Sequence, residues 1–136
     1  MVKIIMGLKG SGKTKQLVEL VTDALDKEDG DVVCLEKGPK LTYSIPHKAR
    51  LIYASHYDFA SYDFLKGFIS GLRAGNYDIT HVFIDSLYKI VKEDPEGKVE
   101  SFLDWLDKFS DDQGIKFTMT ISADAKQASD GIKKFL

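Results

Sequence analysis

The sequence predicts an α/β fold with three layers, a mainly parallel five-stranded sheet between helices. Two observations carry that expectation. Short apolar runs, at Val2–Met6, Val32–Leu35, Ala49–Ala54, Thr80–Ile84 and Ile115–Ile121, have the length and β-branched content of buried strands. Segments with helical periodicity separate most of them, and strands alternating with helices give a parallel sheet covered on both faces. The 136 residues fit one ordinary domain, residues 1–136, with no internal repeat, low-complexity tract or linker.

The elements follow in order. Val2 to Met6 runs straight into glycines, and a helix starts at about Lys13 with Leu17, Leu20, Val21 and Ala24 on one face. Asp26 to Asp31 is a polar stop containing Gly30, and the second strand ends at Glu36. Residues 37–48 hold Gly38, Pro39 and Pro46 without a clear period, so they read as a long loop of a kind that is often functional. Either Asp58 or Ser61 caps the next helix, whose apolar face is Phe64, Leu65, Phe68, Ile69 and Leu72 and whose stop is Gly75. The fourth strand ends in Asp85. Asp94-Pro95 has the form of a cap and first turn for a helix with Val99, Phe102, Leu103, Leu106 and Phe109 inward. A weaker closing helix is expected over Asp124–Phe135.

Composition narrows the function. Nineteen basic and twenty-one acidic side chains give a net charge of −2, which attracts neither nucleic acid nor anionic membranes. Arg50 and Arg73 are the only arginines. The single cysteine, Cys34, lies in an apolar run and reads as core packing. His47, His56 and His81 lack metal-ligand spacing, and Trp105 with its helical stripe reads as core. No apolar run reaches a membrane span and no signal peptide precedes Met1-Val2-Lys3, so a cytoplasmic protein without membrane insertion is expected.

The chemistry is concentrated in Gly7-Leu8-Lys9-Gly10-Ser11-Gly12-Lys13-Thr14, a complete phosphate-binding P-loop between a strand and a helix. Glycines at positions 7, 10 and 12 let backbone N–H groups curl around phosphate oxygens, and the helix N-terminus adds partial positive charge. Here the backbone of Lys9 and Ser11 matters more than the side chains. Lys13 is expected to reach the β- and γ-phosphates and Thr14 to ligate Mg²⁺. Val82-Phe83-Ile84-Asp85 has the Walker B form, with Asp85 as the second group at the metal. Nucleotide is therefore the expected ligand. Tyr43, in the long loop, is an aromatic that a base can stack on, though nothing in the sequence selects it.

Thr80-His81-Val82-Phe83-Ile84-Asp85-Ser86-Leu87 resembles the Walker B region of RecA-like ATPases, where an Asp-Ser pair is frequent. Arg50–Ser55 with the helix ending Gly71-Leu72-Arg73-Ala74-Gly75, and Val32–Glu36, are similar to the flanking segments of that superfamily. The resemblance covers nearly the whole chain. It implies a P-loop NTPase fold with strands in the spatial order 3-2-4-5-1, ATP and Mg²⁺ as cofactors, Glu36 as the catalytic carboxylate beside Lys13, and Ser122 as the γ-phosphate sensor. The strands and loops that build rings and nucleic-acid contacts in larger relatives have no counterpart after Ser122, so nucleic acid is not an expected partner. With no arginine at the phosphate edge, the expectation is a slow Mg-dependent ATPase or nucleotide switch. A non-catalytic nucleotide-binding module and a kinase of the RecA-related thymidine kinase type are the alternatives. The kinase lacks its acid pair and its cysteine-bound zinc lobe here. The strand order leaves Val2–Met6 at an apolar sheet edge, to be covered by the C-terminal helix around Ile132 and Phe135, by a second copy or by another protein.

Overall fold

The computed structural model describes residues 1–136. Five strands, β1 (Val2–Gly7), β2 (Asp31–Glu36), β3 (Arg50–Tyr53), β4 (Ile79–Ile84) and β5 (Lys116–Ser122), form one sheet. Its order is β1-β5-β4-β2-β3, which is 3-2-4-5-1 read from the other edge, and every pairing is parallel. The register aligns the strands' C-terminal ends. Gly7 faces Ser122, Leu35 faces Ile84, and Glu36 faces Tyr53. Side chains at the ends of β1, β2, β4 and β5 therefore gather along one rim, where parallel sheets bind ligands.

Strand alternation sends Val33, Leu35, Val82, Ile84, Phe117, Met119 and Ile121 to one face. There α2 (Tyr62–Gly75) and α4 (Lys98–Gln113) cover them in a core of 26 buried residues. Val32, Cys34 and Phe83 point the other way, into a core of ten completed by α1 (Lys13–Lys27), by Leu41 and Ile45 of the long loop, and by Ala49, which precedes β3 rather than opening it as expected. That loop takes the place of a helix on this face, so its apolar residues are structural.

Several boundaries differ from expectation. Of the two expected caps for α2 it is Ser61 that serves, accepting the Phe64 N–H at 3.1 Å, while Asp58 pairs with Lys92 at 2.9 Å. Asp94-Pro95 is a turn preceding α4 rather than its first turn, since the Asp94 carboxylate takes the Glu96 N–H and Gly97, at φ 72°, caps the helix. The strand before Asp85 leads into a short helix, α3 (Leu87–Ile90), not expected from the sequence. The closing helix is broken. A 3₁₀ turn spans Ala125–Gln127, Ala128 and Ser129 are extended, and α5 covers only Asp130–Lys133. Asp124 caps the 3₁₀ turn by accepting the Lys126 N–H, and the extended step lets Ile132 and Phe135 reach the core.

The sheet edge at β1 lies where expected. The Phe135 carbonyl accepts the Ile4 N–H at 2.8 Å, and Ile132 and Phe135 are buried. No helix of the chain is long and apolar enough to cross a membrane.

Candidate functional site

The P-loop fills the step from β1 to α1, and its glycines are there for stereochemical reasons. Gly10 and Gly12 sit at φ 83° and 85°, where a Cβ is strained. Gly7 is needed for space, since a Cβ there would lie 2.5 Å from Ser11 Oγ. A cradle built this way fits phosphate, because it leads into the N-terminus of a fifteen-residue helix that no side chain caps, although the Ser11 N–H is engaged by the Leu8 carbonyl at 3.1 Å. Lys13 is buried and folds back, donating to the Leu8 carbonyl at 3.0 Å and to Ser11 Oγ at 3.5 Å.

Asp85 lies beside this loop. Its Oδ1 accepts from Thr14 Oγ1 at 3.5 Å, so the two expected metal-binding groups meet across 71 residues of sequence. Hydroxyl plus carboxylate is an oxygen donor set suited to Mg²⁺, whose remaining positions are commonly filled by water and phosphate. Thr120 fixes the carboxylate in place. Its hydroxyl donates to Asp85 Oδ1 at 2.8 Å and accepts the Ser86 N–H at 2.7 Å. Ser86 is the one non-glycine residue with positive φ, at 58°. Thr120 was not singled out from the sequence. Its signal was a pair of threonines, Thr118 and Thr120, two apart in an apolar strand and so on the same face.

Glu36 is at the rim, 2 % exposed, and both its oxygens are engaged. Oε1 accepts the Lys40 N–H at 2.7 Å, and Oε2 accepts the Leu41 N–H at 3.1 Å. Burial pushes its pKa up, and the neighbouring Asp85 charge acts in the same direction against the two N–H donors. As it stands, Glu36 anchors the long loop. The same surroundings push the Cys34 thiol up to about 12, burial first and then Glu36 and Asp85. Ser122 is exposed at the rim, opposite Gly7 in the register.

These residues line one cleft of about 1140 Å³, which includes Gly10, Gly12, Lys13, Thr14, Glu36, Asp85 and Ser122. A second cleft of about 880 Å³ runs along the β3 edge, shares no lining residue with the first, and includes His47 and Arg50. Arg73 is also remote, bonded to Gln113 and to the Tyr77 carbonyl. His81 is a core residue at the opposite end of the sheet. Its Nδ1 meets Glu28 and its Nε2 meets Thr118 Oγ1, each at 2.8 Å. His56 packs edge-on against Tyr53 at the rim, and Tyr43 is fully exposed.

No protein-family model matches the chain, and no curated protein does. Among solved structures it is similar to domain III of the replication initiation protein DnaA from Thermotoga maritima, with TM-score 0.51 and 15 % identity over 98 % of this chain. The fold is shared with DnaA domain III. The match takes in 50 % of that structure's length, so the chain spans about half of it. At this identity the likeness speaks for the five-stranded parallel fold alone.

Proposed function

We propose that the protein binds ATP with Mg²⁺ through its P-loop and acts as a slow ATPase or nucleotide switch of RecA-like type. The observation that carries this reading is the meeting of Thr14 with Asp85 at 3.5 Å beside the glycine cradle. That pairing puts an oxygen donor set next to a phosphate-binding turn. The backbone amides of Gly10 to Thr14 would hold the phosphates, with Lys13 as the direct cation, and Ser122 stands at the rim for a γ-phosphate contact. Bound there, Mg²⁺ would offset phosphate charge. Lys13 must leave the Leu8 carbonyl to do so, and a phosphate oxygen is the stronger acceptor.

The state of Glu36 sets the expected rate. A carboxylate already accepting two backbone N–H groups is a poor base until the loop at Lys40 and Leu41 releases it. Coupling that release to nucleotide is what makes the site a switch, and it keeps basal hydrolysis slow. The same pinning favours a second reading, nucleotide binding without turnover. Calorimetry with Mg-ATP tests the first step, with Lys13→Ala expected to abolish most of the affinity; equal affinity in parent and variant rejects the site. Phosphate release separates the two readings. Glu36→Gln is expected to hydrolyse at least about ten-fold slower at similar affinity, and no turnover by the parent leaves binding alone.

A further inference from the structure

We propose that this cleft recognises the polyphosphate part of its ligand and is nearly indifferent to the base, so that inorganic tripolyphosphate is itself a ligand. The inference rests on the nucleotide-binding reading above and specifies what that site recognises.

The lining of the cleft carries the argument. None of its sixteen residues is aromatic, and Pro39 is the one apolar side chain larger than glycine. Six are lysines: Lys9, Lys13, Lys15, Lys37, Lys40 and Lys89. Against them stand two carboxylates, Glu36 and Asp85. Glu36 is turned into its own loop, and Asp85 is held by Thr120 and Thr14. The cleft therefore carries an excess of four positive charges in a chain whose net charge is −2. The remaining residues carry an acidic surplus of six, from thirteen basic and nineteen acidic side chains. Such segregation concentrates field lines in the cleft and raises the local concentration of anions.

The lysines come from separately anchored segments, which keeps their charges together. Lys9 lies in the P-loop, and Lys13 and Lys15 lie on α1. Lys37 and Lys40 lie on the loop tied down by Glu36 at one point and by the Ser55 N–H on the Lys37 carbonyl at another, at 2.9 Å. Lys89 lies on α3, whose entry at Ser86 is tied to Thr120. An ammonium on a flexible stem is a point charge without base-reading geometry. A base needs a broad apolar or aromatic face, or matched donors and acceptors, and apart from the single ring of Pro39 this lining offers lysine stems, glycine backbone and the hydroxyls of Thr14 and three serines. Tyr43, the exposed aromatic of the long loop, is not among the lining residues.

The test is calorimetric titration of the full chain with Mg²⁺ and, in turn, ATP, GTP, CTP, UTP and inorganic tripolyphosphate. A base stacked on an aromatic side chain is worth about 5- to 150-fold in affinity. The expected result is that all five dissociation constants agree within about five-fold, the lower end of that range. A preference for one base, or for ATP over tripolyphosphate, beyond that factor overturns the inference while leaving nucleotide binding intact. Binding by none of the five removes the nucleotide reading as well. The double variant K37A/K40A keeps the backbone N–H groups that Glu36 uses. It is expected to weaken ATP and tripolyphosphate by the same factor; loss of ATP affinity alone also overturns the inference.

Discussion

Replacing Thr120 with valine tests how the metal carboxylate is positioned. Valine keeps the shape, so no cavity opens, and the change isolates one hydroxyl. Two bonds go: the 2.8 Å donation to Asp85 and the 2.7 Å acceptance from the Ser86 N–H. A hydrogen bond to a charged group contributes about 1.5–3 kcal/mol, and a stranded donor costs about 1–3 kcal/mol, toward the low end for a half-buried one. The expected loss is therefore about 3 kcal/mol. For a chain of this size that is roughly 10 °C in melting temperature. Against a domain stability of about 5–15 kcal/mol the variant still folds. A purely structural role would stop there. If Thr120 holds Asp85 for Mg²⁺, the Mg²⁺ dependence of ATP binding also weakens, by about ten-fold or more, as for other groups that support a metal ligand. Binding in EDTA is expected to be unchanged. Thr120→Ser restores the hydroxyl and with it most of both effects. A valine variant that melts within about 2 °C of the parent, with the same Mg²⁺ dependence, refutes the reasoning.

Three further outcomes are expected. Gly71 lies mid-helix in α2 with nothing within 4 Å of a built Cβ, so Gly71→Ala is expected to raise stability by about 0.5–1 kcal/mol in thermal melts; a lower melting temperature would mean that this face is packed against something in solution. Burial holds the His81 pKa below 6.5 and outweighs Glu28, whose other oxygen already faces Lys116 at 3.7 Å. The unfolded chain then binds more protons, so stability is expected to fall as pH drops below about 6.5, with a further loss below about 4.5 from Glu28, whose pKa is also lowered; a His81 pKa above 6.5 by NMR titration contradicts this. Cys34, fully buried and pushed up to about 12, is expected to ignore a thiol reagent at pH 8 until the chain is unfolded, and reaction in the native state would place it elsewhere.

What was legible in the sequence was what short-range chemistry dictates. The P-loop announces itself because glycine suits φ 83° and 85° at positions 10 and 12, and a Cβ at position 7 would crowd the Ser11 side chain. Asp85 is legible because an acid ending an apolar strand must fall at the rim of a parallel sheet. The strand order came from resemblance, since periodicity says which face a residue takes and nothing about which strand is its neighbour. The bonding of Glu36 was not legible, because its partners are main-chain N–H groups of Lys40 and Leu41 and leave no side-chain pattern. The six-lysine cleft was hidden for a related reason. Its charges are scattered from position 9 to position 89 and become one patch only through the topology.

The two sheet edges show how the same fold can leave its rim open while protecting its sides. At β1 the strand is mostly apolar, and a bare edge of that kind invites pairing with another chain. The chain meets the problem by placing Ile132 and Phe135 there. Ile132 and Phe135 are buried, and the Phe135 carbonyl takes the Ile4 N–H. The break in the expected closing helix goes with this, because the extended Ala128 and Ser129 redirect the chain so that Ile132 and Phe135 reach the core. At β3 the protection differs in kind. The strand is four residues long, begins with the exposed charge of Arg50 and ends in a 3₁₀ turn at Ala54–His56. Short length and a charge limit pairing without a cover. Neither device touches the C-terminal ends of β1, β2, β4 and β5, so the strand-end residues Glu36, Asp85 and Ser122 can line one cleft. The features that stabilise the edges and the features that build the site thus occupy different borders of the sheet, and a change such as Phe135→Ala should lower stability and solubility without altering which ligand the cleft takes.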